Sequence, residues 1–92
     1  MIESFRHKGL RRFFESGDTR GINGEHAKRM AFILPLIDEA VSIETINVAG
    51  LRLHPLTGEL KGFWSVTLRA NWRIIFRFED GVVFDVDLVD YH

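Results

Sequence analysis

Cysteine is absent from the chain, which removes a disulfide framework and a thiolate metal site and accords with a cytoplasmic protein. No run reaches the about 18 consecutive apolar residues of a membrane-spanning helix. The opening MIESFRHKGLRR mixes charges with apolar positions and lacks the apolar block of a secretory signal, so a cytoplasmic, essentially complete chain is expected. Internal repeats, linkers and low-complexity tracts are missing as well. There is no Gly-rich phosphate loop, which argues against nucleoside-triphosphate chemistry. Acid is missing from residues 60–78, although Lys61, Arg69, Arg73 and Arg77 all lie there.

What is present suits one domain over residues 1–92. Apolar residues make up 46% and charged residues 27%, the balance of an ordinary globule with a single modest core. The net charge of −1 by itself says nothing for nucleic acid, but the charge is unevenly spread. Residues 1–29 carry seven Lys/Arg against four Asp/Glu, and residues 79–90 carry five acids, Glu79, Asp80, Asp85, Asp87 and Asp90. The plainest reading of the arginine stretch is a solvated strand face paired to those acids.

Hydrophobic period divides the chain in two. Ile2 to Phe5 alternates as a short strand. Leu10, Phe13 and Phe14 are spaced for a helix that Gly17 closes. A second helix is expected from an Asn23 N-cap to about Ala40, with Met30, Ile33, Leu34, Ile37 and Val41 as its buried stripe. Pro35 should kink or interrupt it, having no N–H to donate to residue 31. Residues 43–48 add a helical turn before Gly50. From Leu51 onward the period is two, and strands are expected at 63–68, 72–78 and 82–89. Facing residues in a hairpin point to the same side, so a three-residue loop Glu79-Asp80-Gly81 pairs Phe78 with Val82, Phe76 with Phe84 and Ile74 with Val86. A loop Arg69-Ala70-Asn71 follows by the same parity. The expected fold is α+β, two helices on the greasy face of an antiparallel meander, with Trp72, Ile74, Phe76, Phe84 and Val86 beneath them.

The opposite face would carry Arg52, His54, Ser65, Thr67, Arg73, Arg77, Asp85 and Asp87, with Arg73 opposite Asp87. An exposed pair of that kind contributes only about 0–1 kcal/mol, so stability alone is a weak reason for the cluster. Three chemistries compete for it. A metal site from His54, Asp90 and His92 has the right ligand types but no HxH, HExxH or Cys/His spacing. Ser65 has no nucleophile-elbow context. Acid–base phosphoryl chemistry uses what is present: His, Asp and Tyr to move protons, and Arg to hold phosphate.

The segments SFRHKGL, LRLHPLTGELKGFWSVTLRANWRIIFRF and the closing VDYH resemble the HigB-type toxins of the RelE superfamily, which belong to type II toxin–antitoxin systems. The resemblance covers nearly the whole chain and is weakest over about residues 18–50. It implies a β-α-α-β-β-β fold and a toxin that enters the ribosomal A site and cleaves translated mRNA. It also implies a helix-turn-helix antitoxin of the HigA type, a 70S ribosome with mRNA as target, operator DNA met only through the antitoxin, and no cofactor. By motif, His54 and His92 become the proton-transfer pair, Tyr91 stacks on or orients a nucleotide, Asp90 orients a neighbour or the substrate, and Arg73 binds phosphate. Lys8, Arg11, Arg12, Arg20, Lys28 and Arg29, joined by Lys61 and Arg77, supply an RNA- and ribosome-binding surface. Thr57 stands where such toxins carry lysine in the loop after HPL, which implies weaker phosphate binding.

The implied reaction is attack by a ribose 2′-hydroxyl on the adjacent phosphate, without metal, leaving a cyclic phosphate and a free 5′-hydroxyl. One proton leaves the nucleophile and another reaches the leaving oxygen, and imidazole, with an ordinary pKa of about 6.5, suits both tasks. Which histidine is base and which acid stays open. The rival is a non-catalytic binding module on the same scaffold, acting through its antitoxin in operator repression or as a gyrase-directed toxin. A pure binder has no need of paired imidazoles.

Overall fold

The computed structural model describes residues 1–91. Two α-helices, α1 (Lys8–Ser16) and α2 (Ala27–Glu39), precede four strands, β1 (His54–Pro55), β2 (Phe63–Arg69), β3 (Trp72–Glu79) and β4 (Val82–Asp90). The strands form one antiparallel sheet in the order β1-β2-β3-β4. The N-terminal segment adds parallel bridges to β4, Ile2 to Val83 and Phe5 to Val86. No helix among the described residues is long and apolar enough to cross a membrane.

Local chemistry explains the helix ends. Gly17 closes α1 in the left-handed conformation at φ 77°, with its N–H donating to the Phe13 carbonyl. Asn23 caps a 3₁₀ turn, Gly24–His26, that leads into α2. Helix α2 continues unbroken past Pro35, contrary to the expected interruption. Pro35 and Ala31, the residue it cannot bond, are both exposed, so water can satisfy the Ala31 carbonyl. The helix ends at Glu39, which leaves Val41 beyond the last turn and 81% exposed instead of on the buried stripe.

Leu10 of α1 and Met30, Ile33, Leu34 and Ile37 of α2 pack on Val66, Leu68, Ile74, Phe76, Val83 and Val86 of the sheet. The three long strands start where expected, but each runs one residue further, and the register differs. Both hairpin loops hold two residues: Glu79 pairs with Val82 and Arg69 with Trp72. Asp80 and Gly81 both have positive φ, the requirement of the tight turn that matches strand twist. Bulges then restore parity. In β2, Leu68 is the extra residue, and below it Thr67↔Arg73 and Val66↔Ile74 stand as expected.

In β4, Asp85 and Val86 together face Phe76, with Asp85 at φ 56°. The bulge turns Val83 into the core (0% exposed) and Phe84 out to face Arg77, correcting the expectation that Phe84 lay inside. Trp72 is half-buried. The residues that close the bulge come from the other end of the chain. Ser4 accepts the Asp85 N–H on its hydroxyl at 2.9 Å and the Val86 N–H on its carbonyl at 3.1 Å.

Candidate active site

The bulge resets every facing pair beyond it. Arg73 lies opposite Val89, and Asp87 lies opposite Ile75, so the expected Arg73–Asp87 pair does not form. Both residues nevertheless stay on the face away from the helices, where Arg73 lines a depression with His54, Ser65, Ile75, Val89 and Tyr91. Its floor is nearly closed to solvent: Ile75 and Ser65 are each 2% exposed, and Leu56 and Leu60 wall it from the loop after β1. The enclosed space is about 10 Å³, enough for a single water at most. Any nucleotide must therefore lie across the rim.

His54 reaches this place through the β1–β2 pairing, which sets it opposite Ser65. Its Nδ1 lies 2.9 Å from the carbonyl oxygen of Arg52. A carbonyl only accepts, so Nδ1 carries the proton, and the neutral ring keeps its lone pair on Nε2. Arg52 holds a left-handed backbone at φ 53°, strained for a residue with a Cβ, and its carbonyl is the one that orients the imidazole. Strand periodicity marked His54 and Ser65 as co-facial; the Arg52 carbonyl was invisible to it.

Arg73 forms no salt bridge with a described carboxylate. Its Nη1 donates to the carbonyls of Ala70 at 2.6 Å and Trp72 at 3.2 Å, which folds the guanidinium back over the β2–β3 turn. Tyr91 is 57% exposed, and its backbone N–H is anchored on the Asn71 carbonyl at 2.8 Å. Asp90 pairs with Trp72, and strand alternation sends it to the helix side of the sheet, away from this depression. His92 lies outside the described residues.

A model of the HigB-like family, RelE-like toxins of type II toxin–antitoxin systems, matches residues 3–92. The chain belongs to this family. It is 45% identical over all 92 residues, and over the whole of that protein, to the endoribonuclease HigB of Proteus vulgaris. It is 28% identical over 90 residues to the toxin HigB-1 of Vibrio cholerae, covering 96% of this chain and 95% of that one. Among solved structures, YafQ from E. coli superposes with a TM-score of 0.59 at 17% identity, covering 98% of this chain and 91% of YafQ. A histidine-to-glutamine variant of YafQ gives the same TM-score at 18% identity. At that distance the likeness concerns the fold. As a type II toxin, this HigB-like chain has an antitoxin for a partner.

The cations of the toxin divide into free and engaged groups. Lys8, Arg11, Arg12, Lys28 and Lys61 are exposed. Arg29 is engaged at its tip: Nη2 donates to the carbonyls of Gly50 at 3.3 Å and Thr67 at 3.5 Å, tying α2 to the sheet. Arg77 sits between Asp85 and Glu79, each at 3.5 Å, so here the acid-paired strand face expected for the arginine stretch is realised. Arg6 joins the same group, 4.0 Å from Asp85, and lies over the Phe63 ring at 4.9 Å. Arg20 is held by Asp18 at 2.9 Å, and that guanidinium lowers the Asp18 pKa to about 2. Of the strand arginines, Arg73 is thus the one held by carbonyls in place of carboxylates, which leaves it a charge to offer an anion.

Proposed function

We propose that the chain is a cytoplasmic endoribonuclease that cleaves translated mRNA in the ribosomal A site, restrained by a helix-turn-helix antitoxin of the HigA type. The full-length relative named as an endoribonuclease supports the RNase reading. The observation that carries the chemistry is the His54 ring, proton fixed on Nδ1 and lone pair free on Nε2, in one depression with Arg73 and Tyr91.

In the reaction, His54 Nε2 accepts the proton of the ribose 2′-hydroxyl, and O2′ attacks the adjacent phosphorus. The bond from phosphorus to the 5′-oxygen breaks, and that oxygen takes a proton from the His92 imidazolium. The products are a 2′,3′-cyclic phosphate and a free 5′-hydroxyl, and no metal enters the step. Arg73 releases a turn carbonyl to meet the phosphate, where its fork of donors opposes the growing charge. Tyr91 presents an exposed ring at the rim for an unstacked base. Asp90, placed beside Trp72, orients the chain end rather than the phosphate. The exposed lysines and arginines of α1 and the start of α2 give an electrostatic hold on ribosomal RNA despite the net negative charge. Operator DNA is met only through the antitoxin.

The test is a cell-free translation reaction with mapped mRNA 5′ ends, run beside the same mRNA without ribosomes. Cuts in the translated frame that need ribosomes are expected. Uniform cutting of free mRNA would refute ribosome dependence, and intact mRNA with translation halted would favour a non-catalytic toxin.

A further inference from the structure

On the helix side of the sheet, next to the end of β4, a cleft of about 400 Å³ opens between the start of α1, the loop before α2 and the strands. Trp72 and Leu88 form its apolar wall, and His7, Arg20, Asn23 and His26 supply its polar groups. Its size is that of a small-molecule site, whereas the depression at His54 encloses only about 10 Å³.

Capping chemistry decides what these polar groups can do. His7 Nδ1 accepts the Leu10 N–H at 3.1 Å as the N-cap of α1, so in the neutral ring the proton resides on Nε2, a donor. Asn23 Oδ1 accepts the Glu25 N–H at 2.9 Å, so its remaining polar atom, Nδ2, is also a donor. Asp18 grips Arg20 through Nε and Nη2, which orients the guanidinium and leaves Nη1 without a described partner. The three groups therefore offer donors. The wall also contains His26, 4% exposed, whose Nδ1 has no hydrogen-bond partner among the described residues. The His26 ring meets Trp72 edge-on at 5.7 Å, which braces the indole. A buried polar atom left unpaired is costly, so this wall is not arranged for packing alone.

We propose that this cleft is a nucleotide-binding site, with a phosphate on the donors of His7, Asn23 and Arg20 and a base against Trp72. It rests on the RNA-directed reading for its occupant, a nucleotide of a single RNA strand. The strand positions make such a path short. Trp72 and Arg73 are neighbours in β3 and project to opposite faces, so a strand crossing the sheet end beside them meets both sites. The chemistry of a free mononucleotide is the same.

The experiment uses the full chain and a variant that reverses one donor. Asn23→Asp keeps a side-chain oxygen for the Glu25 N–H, and Asp caps as well as Asn, but it replaces the outward amide with a carboxylate. Binding is followed by the indole N–H resonance of Trp72, with Trp64 as internal control, during titration with a short single-stranded oligoribonucleotide, with AMP, and with inorganic phosphate. The RNA should shift Trp72 more than Trp64, and Asn23→Asp should weaken its Kd by about tenfold or more at unchanged thermal midpoint. Arg20→Gln should weaken it too and flatten its salt dependence. A shift with RNA alone assigns the site to a strand, and an equal response to AMP assigns it to free nucleotide as well. No Trp72 shift with RNA or AMP, or an Asn23→Asp protein that binds RNA as the parent does, overturns the proposal. Cleavage is scored separately, on translating ribosomes: binding at Trp72 with no cleavage there would remove the nuclease reading and leave the cleft standing.

Discussion

Replacing His54 by Asn separates the two nitrogens of its ring. An Asn amide nitrogen reaches about as far as Nδ1 and can keep the bond to the Arg52 carbonyl, while nothing replaces Nε2. His54 is exposed, so little burial is lost, and the stability change should stay within about 0.5 kcal/mol. In a domain of this size that is a shift of roughly 2–4 °C in thermal midpoint. If Nε2 accepts the 2′-hydroxyl proton, the cleavage rate falls by about 10²–10⁴, since the transition state loses its base. That is about 2.7–5.4 kcal/mol of barrier, far above the stability effect. Single-turnover cleavage on programmed ribosomes gives the rate, and a binding assay on the same ribosomes gives the affinity, which should hold. Added imidazole should restore part of the rate, because the ring's place is vacant. A His54→Asn protein that cleaves within threefold of the parent would refute Nε2 as the proton acceptor. A loss of rate matched by a loss of folded protein would assign His54 to structure.

Four further outcomes are expected. Deleting Tyr91 and His92 should abolish cleavage while lowering stability by only about 1–3 kcal/mol, because the Tyr91 side chain is more than half exposed and only its N–H is anchored; normal cleavage per folded molecule would remove the chain end from the site. Thr57→Lys should raise cleavage, with a gain that shrinks as salt rises, and no change at low salt would mean that other cations hold the phosphate. Val83→Ala should cost about 2 kcal/mol in chemical denaturation and Val82→Ala clearly less, whereas the reverse order would contradict the bulge. The Asp18 carboxyl, held near pKa 2 by Arg20, contributes its full share of stability above its ordinary value of about 3.9 and loses it as pH falls through about 2. The parent and Asp18→Asn should therefore converge in stability between about pH 4 and pH 2, as followed by denaturation midpoints, and curves that stay parallel there would rule out the pairing.

Local periodicity and capping were enough to place the two helices and the three long strands, whereas the strand expected over Ile2 to Phe5 forms only two isolated bridges. Met30, Ile33, Leu34 and Ile37 are spaced at 3.6 residues, Gly17 and Asn23 mark helix ends, and alternation from Phe63 onward marks three strands, because each signal acts within a turn or a hairpin. Alternation also put His54, Ser65 and Arg73 on one face. Strand parity failed at β4 because it assumes an unbroken pleat, and the extra residue at Asp85 reverses every side chain before it. Nothing within β4 foretells that residue: its backbone is satisfied by Ser4, 81 positions away. That distant contact sets Arg73 against Val89, and strand alternation beyond the bulge separates Asp90 from Tyr91 across the sheet. The cleft is likewise a tertiary product, since it joins His7, Asn23, Trp72 and Leu88 from four separate segments. The sequence determined which groups are available and what each turn or cap requires of them. Their meeting in space was decided by long-range contacts, which leave no local pattern.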